Sequence, residues 1–339
     1  MSKTVVFGPW IGELGWELNS WQGWIHRVIR KDYKDHRKII CSFPGRESLY
    51  AGCLEDCEYH PHPDWFCKLK YSPRAYATDY WWKDSPKFQK GKYNGPTMKP
   101  MADRLVREIS QETGVPESNF ILPWEQTKYK KAIIGGVYNT DKQYPVFAPQ
   151  RIPKSSQDIL PLAPTAEASE LLRKIQLSQG IDPESKLILM FPRNRHRGAS
   201  KNWPQEYYTS LSSDVSEKHP GYVWTVVGHP DQALFSDLAK TPSGWLNLVN
   251  LGESESQMLN VHIAALSKSI LGVGPASGII HIATWCEVPV ILNGAKRIPR
   301  MFKKDENPFG SFVACATVKR VGYEWVRDTT MRFMDSHGY

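Results

Sequence analysis

Long apolar runs are missing from this chain of 339 residues. No stretch approaches the roughly 20 consecutive apolar residues that a bilayer-spanning helix needs, so the sequence does not fit an integral membrane protein. The chain enters a strand-like run directly after Met1-Ser2-Lys3, which leaves no room for a signal peptide. Hydrophobic residues make up 41% and charged residues 23%, the balance of a globular protein rather than a disordered one. We therefore expect a soluble, cytoplasmic protein.

Cysteine is also scarce. Six cysteines are too few for a disulfide scaffold in a chain of this length, which agrees with a reducing compartment. Cys53, Cys57 and Cys67 lie near His60 and His62, and zinc ligation is the alternative to simple burial of small apolar side chains. This spacing matches no common zinc finger, and the chain lacks an Asp-x-Asp pair suited to a divalent cation. We expect neither a metal ion nor a cofactor.

A large excess of charge of one sign is absent as well. The net charge of +8 is too small for a histone-like protein, but it suits anionic partners such as nucleotides, nucleic acid or lipid phosphates. Aromatic residues, in contrast, are abundant, with 13 Trp and 15 Tyr. Their flat faces can stack on sugars or bases, although most Trp side chains in proteins fill cores and interfaces.

The chain divides into two halves at a proline-rich segment over 148–164, which is typical of an extended linker. We predict an N-terminal domain over 1–155 and a C-terminal domain over 156–310. The final segment, 311–339, is predicted to be helical and to return toward the N-terminal domain. A basic, aromatic insertion over about 59–100 interrupts the periodic pattern of the first domain. The chain length agrees with two domains of ordinary size.

The second half alternates apolar strands with amphipathic helices. Strands are predicted at 186–191, 222–227, 246–249, 269–273 and 288–292. Thr165 can cap the helix that precedes them. Strands that are apolar throughout, each followed by a helix, indicate a parallel sheet covered on both faces. The first half opens in the same way, with strands at Thr4–Phe7 and Lys38–Cys41, so the fold class is α/β.

Two loops of the second half suit a bound diphosphate. The first, from Arg193 to Lys201, holds four Lys or Arg, including Arg195, and no carboxylate. The second contains Ser277 and Gly278, where a small-residue turn opens a helix and leaves backbone N–H groups for a ligand. Each alone has an ordinary alternative, a solvated charge run or a tight turn. Because ligands bind at the carboxyl ends of parallel strands, both loops would lie on one edge, which favours an anion site.

Two neighbouring loops hold candidates for nucleotide binding. His229 follows the next strand and could reach the base or the ribose. Glu253 could accept hydrogen bonds from ribose hydroxyls. A surface turn and a helix-start carboxylate are the ordinary alternatives.

The predicted insertion is rich in both aromatic and basic side chains. Between Lys68 and Lys99 there are eight Lys or Arg and two Asp, together with Trp81 and Trp82. This mixture suits a polyanion with stackable rings, such as single-stranded or flipped-out nucleic-acid bases, and it suits a phosphorylated glycan nearly as well. A surface loop with its own small core is the alternative.

Three segments of the second half, over about residues 185–293, resemble one known family. Lys201-Asn202-Trp203-Pro204, Leu251-Gly252-Glu253-Ser254 and the run from Ser277 to Ala283 resemble the heptosyltransferase-like glycosyltransferases. The resemblance implies the GT-B architecture, in which two Rossmann-like domains with parallel sheets face each other and the second holds a nucleotide-sugar.

The resemblance also implies roles for single residues. By position, Lys201, Ser277 and Gly278 would contact the donor diphosphate, and His281 would lie on the first turn of the following helix. In the first half, Gly12-Glu13 matches the opening of the family, which places Glu13 where a catalytic base is proposed.

Two features depart from the family. Ala276 stands where the family commonly has an acidic residue, and the opening loop, Gly8–Glu17, is unusual in sequence. The identities of the donor and the acceptor are therefore not implied.

Such a protein would move a sugar from a nucleotide-diphosphate sugar to an acceptor hydroxyl. Fixed cations would stabilise the departing diphosphate without a metal ion. Glu13 or Glu17 would take the acceptor proton, and direct attack would invert the anomeric carbon. Trp10 and Trp16 of the same loop would contact the acceptor, as would Trp81 and Trp82.

The sequence leaves two candidates for the acceptor: a modified nucleic-acid base (a hydroxymethylated pyrimidine in DNA) and a phosphorylated glycan. A non-catalytic module that binds nucleotide-sugar or nucleic acid on the same scaffold is an alternative of another class. A sugar-nucleotide epimerase of similar two-domain form is a further alternative.

Overall fold

The computed structural model describes residues 3–11, 14, 17–54, 57–67, 98–123, 158–194, 201–251, 257–275, 279–293, 309, 311–315 and 322–339. The chain forms two compact units that divide after Leu160, inside the proline-rich segment. Among the helices of these ranges, none has both the length and the apolar character that a membrane crossing requires.

The first unit contains a sheet of four strands in the order β3-β2-β1-β4, and all its strand pairs are parallel. The strands are β1 (Thr4–Phe7), β2 (Arg37–Ser42), β3 (Cys57–Pro61) and β4 (Phe120–Ile121). The helices are a π-helix (Glu17–Gln22), α1 (Gly23–Asp32), α2 (Ala51–Leu54), α3 (Asp64–Cys67) and α4 (Met98–Thr113). Two 3₁₀ turns lie at Glu47–Tyr50 and Glu117–Asn119.

The central strands of this unit are buried because they are apolar on both faces. Val6, Phe7, Ile39 and Ile40 are each no more than 1% exposed, as a parallel sheet covered by helices requires. The helix between β1 and β2 opens as a π-helix before it continues as α1. α4 ends where Gly114 adopts a φ of 68°, a left-handed conformation that glycine accepts readily.

The second unit contains a parallel sheet of six strands in the order β10-β9-β8-β5-β6-β7. The strands are β5 (Lys186–Met190), β6 (Tyr222–Val226), β7 (Leu246–Asn247), β8 (Ser269–Gly274), β9 (Val290–Leu292) and β10 (Val313–Cys315). The helices are α5 (Ala166–Ser178), α6 (Gln205–Lys218), α7 (Met258–Ser267), α8 (Ile280–Trp285) and α9 (Tyr323–His337). Two 3₁₀ turns lie at Pro230–Gln232 and Leu238–Lys240.

This strand order is that of a Rossmann sheet, in which the first and fourth strands of the unit, here β5 and β8, are neighbours. The chain leaves these two strands toward opposite sides of the sheet. The crevice between the loops that follow them is the place where such sheets bind ligands. The predicted cap at Thr165 is confirmed, since its Oγ1 accepts a hydrogen bond from the N–H of Ala168 at 3.1 Å.

Three short strands were not predicted. β3 continues through Tyr59 to Pro61, inside the segment expected to be an insertion, and α3 follows it. The residues of β3 do not form an apolar run, and their pairing with β2 makes them a strand. β4 has only two residues and pairs with β1, and β10 lies in the final segment and pairs with β9. The remainder of the predicted insertion, 68–97, lies outside the described residues.

The final segment ends in a helix, α9, as predicted. Two contacts hold it within the second unit. The Tyr323 hydroxyl donates to Asp214 Oδ2 at 2.6 Å, and Lys218 Nζ lies 2.6 Å from an oxygen of Asp335. Both contacts join α9 to α6, so they hold α9 in the unit that contains the six-stranded sheet.

Candidate functional site

The loop after β5 is fixed to the segment after β6. The N–H of Asn194 donates to the carbonyl of Gln232 at 2.7 Å, and the N–H of Leu234 donates to the carbonyl of Pro192 at 2.7 Å. Gly228 permits this approach, because a Cβ atom there would lie 2.7 Å from the Cβ of Ala233. Backbone contacts therefore hold the start of the cationic loop at the carboxyl edge of the sheet.

The end of the same loop is anchored by an aromatic side chain. Trp203 is buried and meets Tyr208 edge-on, with the ring centroids 4.9 Å apart. Two residues earlier, the side chain of Lys201 is exposed to solvent. Arg193 Nη1 donates to Asn202 Oδ1, which joins the two ends of the loop. Arg193 and Lys201 are thus brought to one place, while Arg195 lies outside the described residues.

A third predicted residue, His281, lies close to Lys201. Burial of the imidazole, and after it the positive charge of Lys201, lower the pKa of His281 to about 3. His281 is therefore neutral at physiological pH, a form that can donate or accept a hydrogen bond but carries no charge. His281 lies on α8, which follows β8, whereas Lys201 follows β5. Residues from both sides of the β5–β8 crevice therefore lie together here. Ser277 and Gly278 lie outside the described residues.

Close packing of β5 against β8 brings these loops together. A Cβ atom at Gly274 would lie 2.6 Å from the Cβ of Phe191, so only glycine fits at the end of β8. Gly272 is similarly close, with 3.1 Å to a ring atom of the same phenylalanine. Gly272 and Gly274 therefore allow β8 to pack closely against Phe191 at the end of β5.

The predicted nucleotide-binding residues are only partly described. His229 follows β6, and its Nδ1 accepts a hydrogen bond from the N–H of Asp231 at 3.2 Å. Its charge contributes to lowering the pKa of the buried His262 to about 4, after the larger effect of burial. His229 thus lies one strand away from the β5–β8 crevice. Glu253 lies outside the described residues.

Two residues that sequence analysis does not single out, Tyr208 and Asn293, lie at the same edge. The Tyr208 hydroxyl accepts from Asn293 Nδ2 at 3.3 Å, and it donates to the carbonyl of Phe191 at 3.5 Å. Burial raises the pKa of Tyr208, so its hydroxyl keeps its proton. In the sequence, Asn293 is recognisable only as a polar residue directly after the apolar strand Val290–Leu292. Its place beside the crevice becomes clear once the strand order is known.

In the first unit, Glu17 is fully buried. Its carboxylate accepts hydrogen bonds from the Ser42 hydroxyl at 2.5 Å, the Tyr50 hydroxyl at 2.7 Å and Arg46 Nη1. This arrangement ties the π-helix to the loop after β2. A carboxylate enclosed in this way has no open side for an acceptor hydroxyl, so the geometry fits a structural role better than that of a base. Glu13 lies outside the described residues.

The predicted acceptor contact of Trp10 does not fit its position. The indole is 0% exposed and stacks on Trp21, with ring centroids 5.9 Å apart. Its ring therefore contributes to the core of the first unit and presents no face to an acceptor. Trp16, Trp81 and Trp82 lie outside the described residues.

The cysteines considered for zinc ligation make other contacts. Cys53 Sγ donates to the carbonyl of Tyr50 at 3.2 Å, and Cys67 Sγ donates to the carbonyl of His62 at 3.7 Å. His60 Nε2 lies 3.0 Å from the carboxylate of Glu112. Within the described parts of the chain, no three His, Cys, Asp or Glu side chains are grouped so that they could hold a metal ion.

Comparison with known proteins gives similarity at the level of structure alone. No family model matches the chain, and no curated protein matches it in sequence. The ADP-heptose LPS heptosyltransferase II of E. coli is similar with a TM-score of 0.51 and 13% identity, over 99% of this chain and 100% of that one. A family 9 glycosyl transferase from Veillonella parvula DSM 2008 is similar with a TM-score of 0.55 and 12% identity, over 99% and 98%.

Identities this low show the fold and leave the activity to be argued from the site. Both similar structures span nearly the whole chain, and both sheets of this protein are parallel with helices in the Rossmann manner. The fold that the sequence resemblance implied is confirmed: this protein has the two-Rossmann-domain fold of the GT-B glycosyltransferases.

Proposed function

We propose that this protein is a glycosyltransferase that moves a sugar from a nucleotide-diphosphate sugar to an acceptor hydroxyl. The observation that carries the proposal is the gathering of Arg193, Lys201 and His281 at the β5–β8 crevice of a Rossmann sheet. Two cationic side chains beside a neutral imidazole match a diphosphate, whose oxygens accept hydrogen bonds and carry negative charge. The GT-B fold supports the proposal, because the two similar proteins named above are both glycosyltransferases.

In this reaction the bond between the anomeric carbon and the diphosphate oxygen breaks, and its electrons stay with the diphosphate. Lys201 and Arg193 stabilise that charge, and Asn202 holds the guanidinium of Arg193 in place beforehand. His281, neutral because of burial and Lys201, donates a hydrogen bond to a phosphate oxygen. We propose that these groups make the reaction independent of a metal ion and of any cofactor; undiminished transfer in excess EDTA is the expected result.

The acceptor oxygen forms the new bond to the anomeric carbon, and its proton passes to a carboxylate. We assign this role to Glu13, because the carboxylate of Glu17 is already engaged by three donors. Direct attack from the face opposite the diphosphate inverts the anomeric carbon. Analysis of the product's anomeric configuration by NMR tests this step, and retention would refute it.

For the acceptor we propose an anionic polymer, in keeping with the net charge of +8. The candidates are a hydroxymethylated pyrimidine in DNA and a phosphorylated glycan. Mass spectrometry after incubation with each distinguishes them, since only the true acceptor gains the mass of one sugar. Binding to DNA should also weaken steeply between low and moderate salt, because counterions are released on binding.

A thermal-shift screen with UDP, ADP, GDP and CDP, and with a sugar conjugate of each, tests the donor site. ADP comes first, since the similar E. coli protein is named for ADP-heptose. A ligand at about 100 times its Kd should stabilise the protein by about 2.7 kcal/mol.

Lys201→Met should weaken that ligand about tenfold or more, because a charge-assisted hydrogen bond contributes about 1.5–3 kcal/mol. Lys240→Met removes an exposed lysine of the same unit and is the matched control. If no nucleotide stabilises the protein, or if both variants bind equally well, the proposal is wrong. Binding without any sugar transfer would instead favour the non-catalytic module.

A further inference from the structure

The end of β9 places an asparagine at the same sheet edge as the proposed donor site. Asn293 is the first residue after the strand and is 2% exposed. Its N–H donates to the carbonyl of Gly274 at 3.0 Å, which joins it to the end of β8. Asn293 therefore lies one strand beyond the β5–β8 crevice, on the side away from β6.

The carboxamide of Asn293 is held from one side only. Nδ2 donates to the Tyr208 hydroxyl at 3.3 Å, and that hydroxyl is fixed in turn by the carbonyl of Phe191. Oδ1 and Nδ2 leave the same planar carbon in different directions, so Oδ1 faces away from Tyr208. The position of Oδ1 is thus set by two elements, β9 and α6.

Within the described part of the chain, Asn293 Oδ1 is buried and receives no hydrogen bond. Folded proteins rarely leave a buried acceptor in this state, because an unmet acceptor is destabilising. Because Asn293 lies at the edge where such sheets bind ligands, a bound molecule can supply the missing donor.

A second buried asparagine of the same unit shows the contrast. Asn247 Oδ1 accepts from the N–H groups of Val249 at 2.8 Å and Asn250 at 3.4 Å. Its Nδ2 donates to the carbonyl of Phe235 at 2.8 Å and to Thr241 Oγ1 at 2.7 Å. The fold thus satisfies both ends of the Asn247 carboxamide.

The strand order indicates which part of a donor would meet Asn293. His229 follows β6, the cationic loop follows β5, His281 follows β8, and Asn293 follows β9. Neighbouring strands are about 4.8 Å apart, so these residues lie in sequence along one edge. A nucleotide-diphosphate sugar with its nucleoside near β6 and its diphosphate at the crevice extends its sugar toward β9. Diphosphate oxygens only accept hydrogen bonds, whereas sugar hydroxyls donate them to an acceptor such as Oδ1.

We infer that Asn293 Oδ1 accepts a hydrogen bond from a hydroxyl of the transferred sugar and so helps to select that sugar, with Tyr208 as its positioning residue. This inference rests on the proposed donor site. It assigns to Asn293 the recognition of the sugar and leaves the recognition of the nucleotide to the other residues.

The test compares affinities for a nucleoside diphosphate and for its sugar conjugates. UDP, ADP, GDP and CDP, each alone and as the glucose, galactose and mannose conjugates, and ADP-heptose are titrated by thermal shift and calorimetry. In the natural protein one conjugate should bind more tightly than its nucleoside diphosphate. Asn293→Leu should bind the nucleoside diphosphate equally well and bind that conjugate about tenfold more weakly, since one buried hydrogen bond of about 1.4 kcal/mol is lost.

Two further variants separate recognition from folding. Asn293→Leu should leave the Tm of the unliganded protein unchanged or raised, because the unmet acceptor is gone. Tyr208→Phe should reduce the preference for the conjugate about threefold, because the carboxamide loses its support. Asn247→Leu, the control, should lower the Tm and leave the ratio of the two affinities unchanged.

The outcomes distinguish this inference from the proposed function. If Asn293→Leu keeps the natural preference for the conjugate, or if no sugar adds affinity in the natural protein, Asn293 does not recognise the sugar, while the nucleotide site stands. If no nucleoside diphosphate binds at all, the proposed function fails and this inference fails with it.

Discussion

Replacing Glu17 by glutamine should destabilise the first unit strongly. The side chains of Glu17 and Arg46 are 0% and 7% exposed and form a buried ion pair. The introduced carboxamide could still accept from Ser42 and Tyr50, but the guanidinium of Arg46 would lose its counter-charge. Removing one partner of a buried pair typically costs about 3–5 kcal/mol, because the other charge stays buried and uncompensated.

The assay is urea unfolding, in which a lower midpoint at an unchanged m-value reports a loss of stability. The matched control is Glu58→Gln, which breaks the ion pair of Arg37 and Glu58 in the same unit, where both side chains are about half exposed. Exposed pairs contribute little to stability, so the control should shift the midpoint only slightly. A double variant, Glu17→Leu with Arg46→Met, should recover much of the loss, since a well-packed apolar pair can replace a buried ion pair.

Two results would refute this reasoning. If Glu17→Gln shifts the midpoint no more than Glu58→Gln, the buried pair does not hold the π-helix in place. If Glu17→Gln is as stable as the natural protein but transfers no sugar, Glu17 acts in the reaction, and the assignment of the base to Glu13 is wrong.

Two other predictions concern stability. Burial lowers the pKa of His26 to about 4 and that of His62 to about 3, against 6.5 in the unfolded chain, so their stabilising contribution is complete above pH 6.5 and is lost as the pH falls. Between pH 6.5 and 5 each of these histidines should lower the free energy of unfolding by up to about 2 kcal/mol. Urea unfolding at a series of pH values measures this, and a free energy of unfolding that does not change with pH would contradict it. Gly274→Ala should destabilise the second unit by about 1–3 kcal/mol and weaken nucleotide binding, since its Cβ would lie 2.6 Å from Phe191 Cβ. An unchanged Tm and nucleotide affinity would show that the crevice tolerates the methyl group.

Most strands of the second sheet were predictable because they are short apolar runs between helices. β5 and β8 are recognisable without any partner, since their residues are buried on both faces. β3 was missed for the opposite reason: Cys57–Pro61 has no apolar run, and its register with β2 alone makes it a strand. β10 is a short edge strand that likewise depends on its neighbour, β9.

The candidate site was predictable where charge is concentrated in sequence. The run from Arg193 to Lys201 is visible without a structure, and a parallel sheet places it at the carboxyl edge. Asn293 and Tyr208 carry no such signal, because their importance depends on a contact across 85 residues. The role of Glu17 was equally hidden, since its partners Arg46 and Tyr50 come from a different loop.

Local sequence is enough to predict the α/β class, the alternation of strands and helices, and the basic character of the loop after β5, because periodicity and local charge are properties of neighbouring residues. Which loops meet depends instead on the order of the strands in the folded sheet. Parallel strands join residues far apart in the chain, and the order β8-β5-β6 brings His281 and Lys201 to one crevice. The burial of Glu17 and Trp10 is likewise a property of the fold, since burial depends on what distant segments place around a side chain.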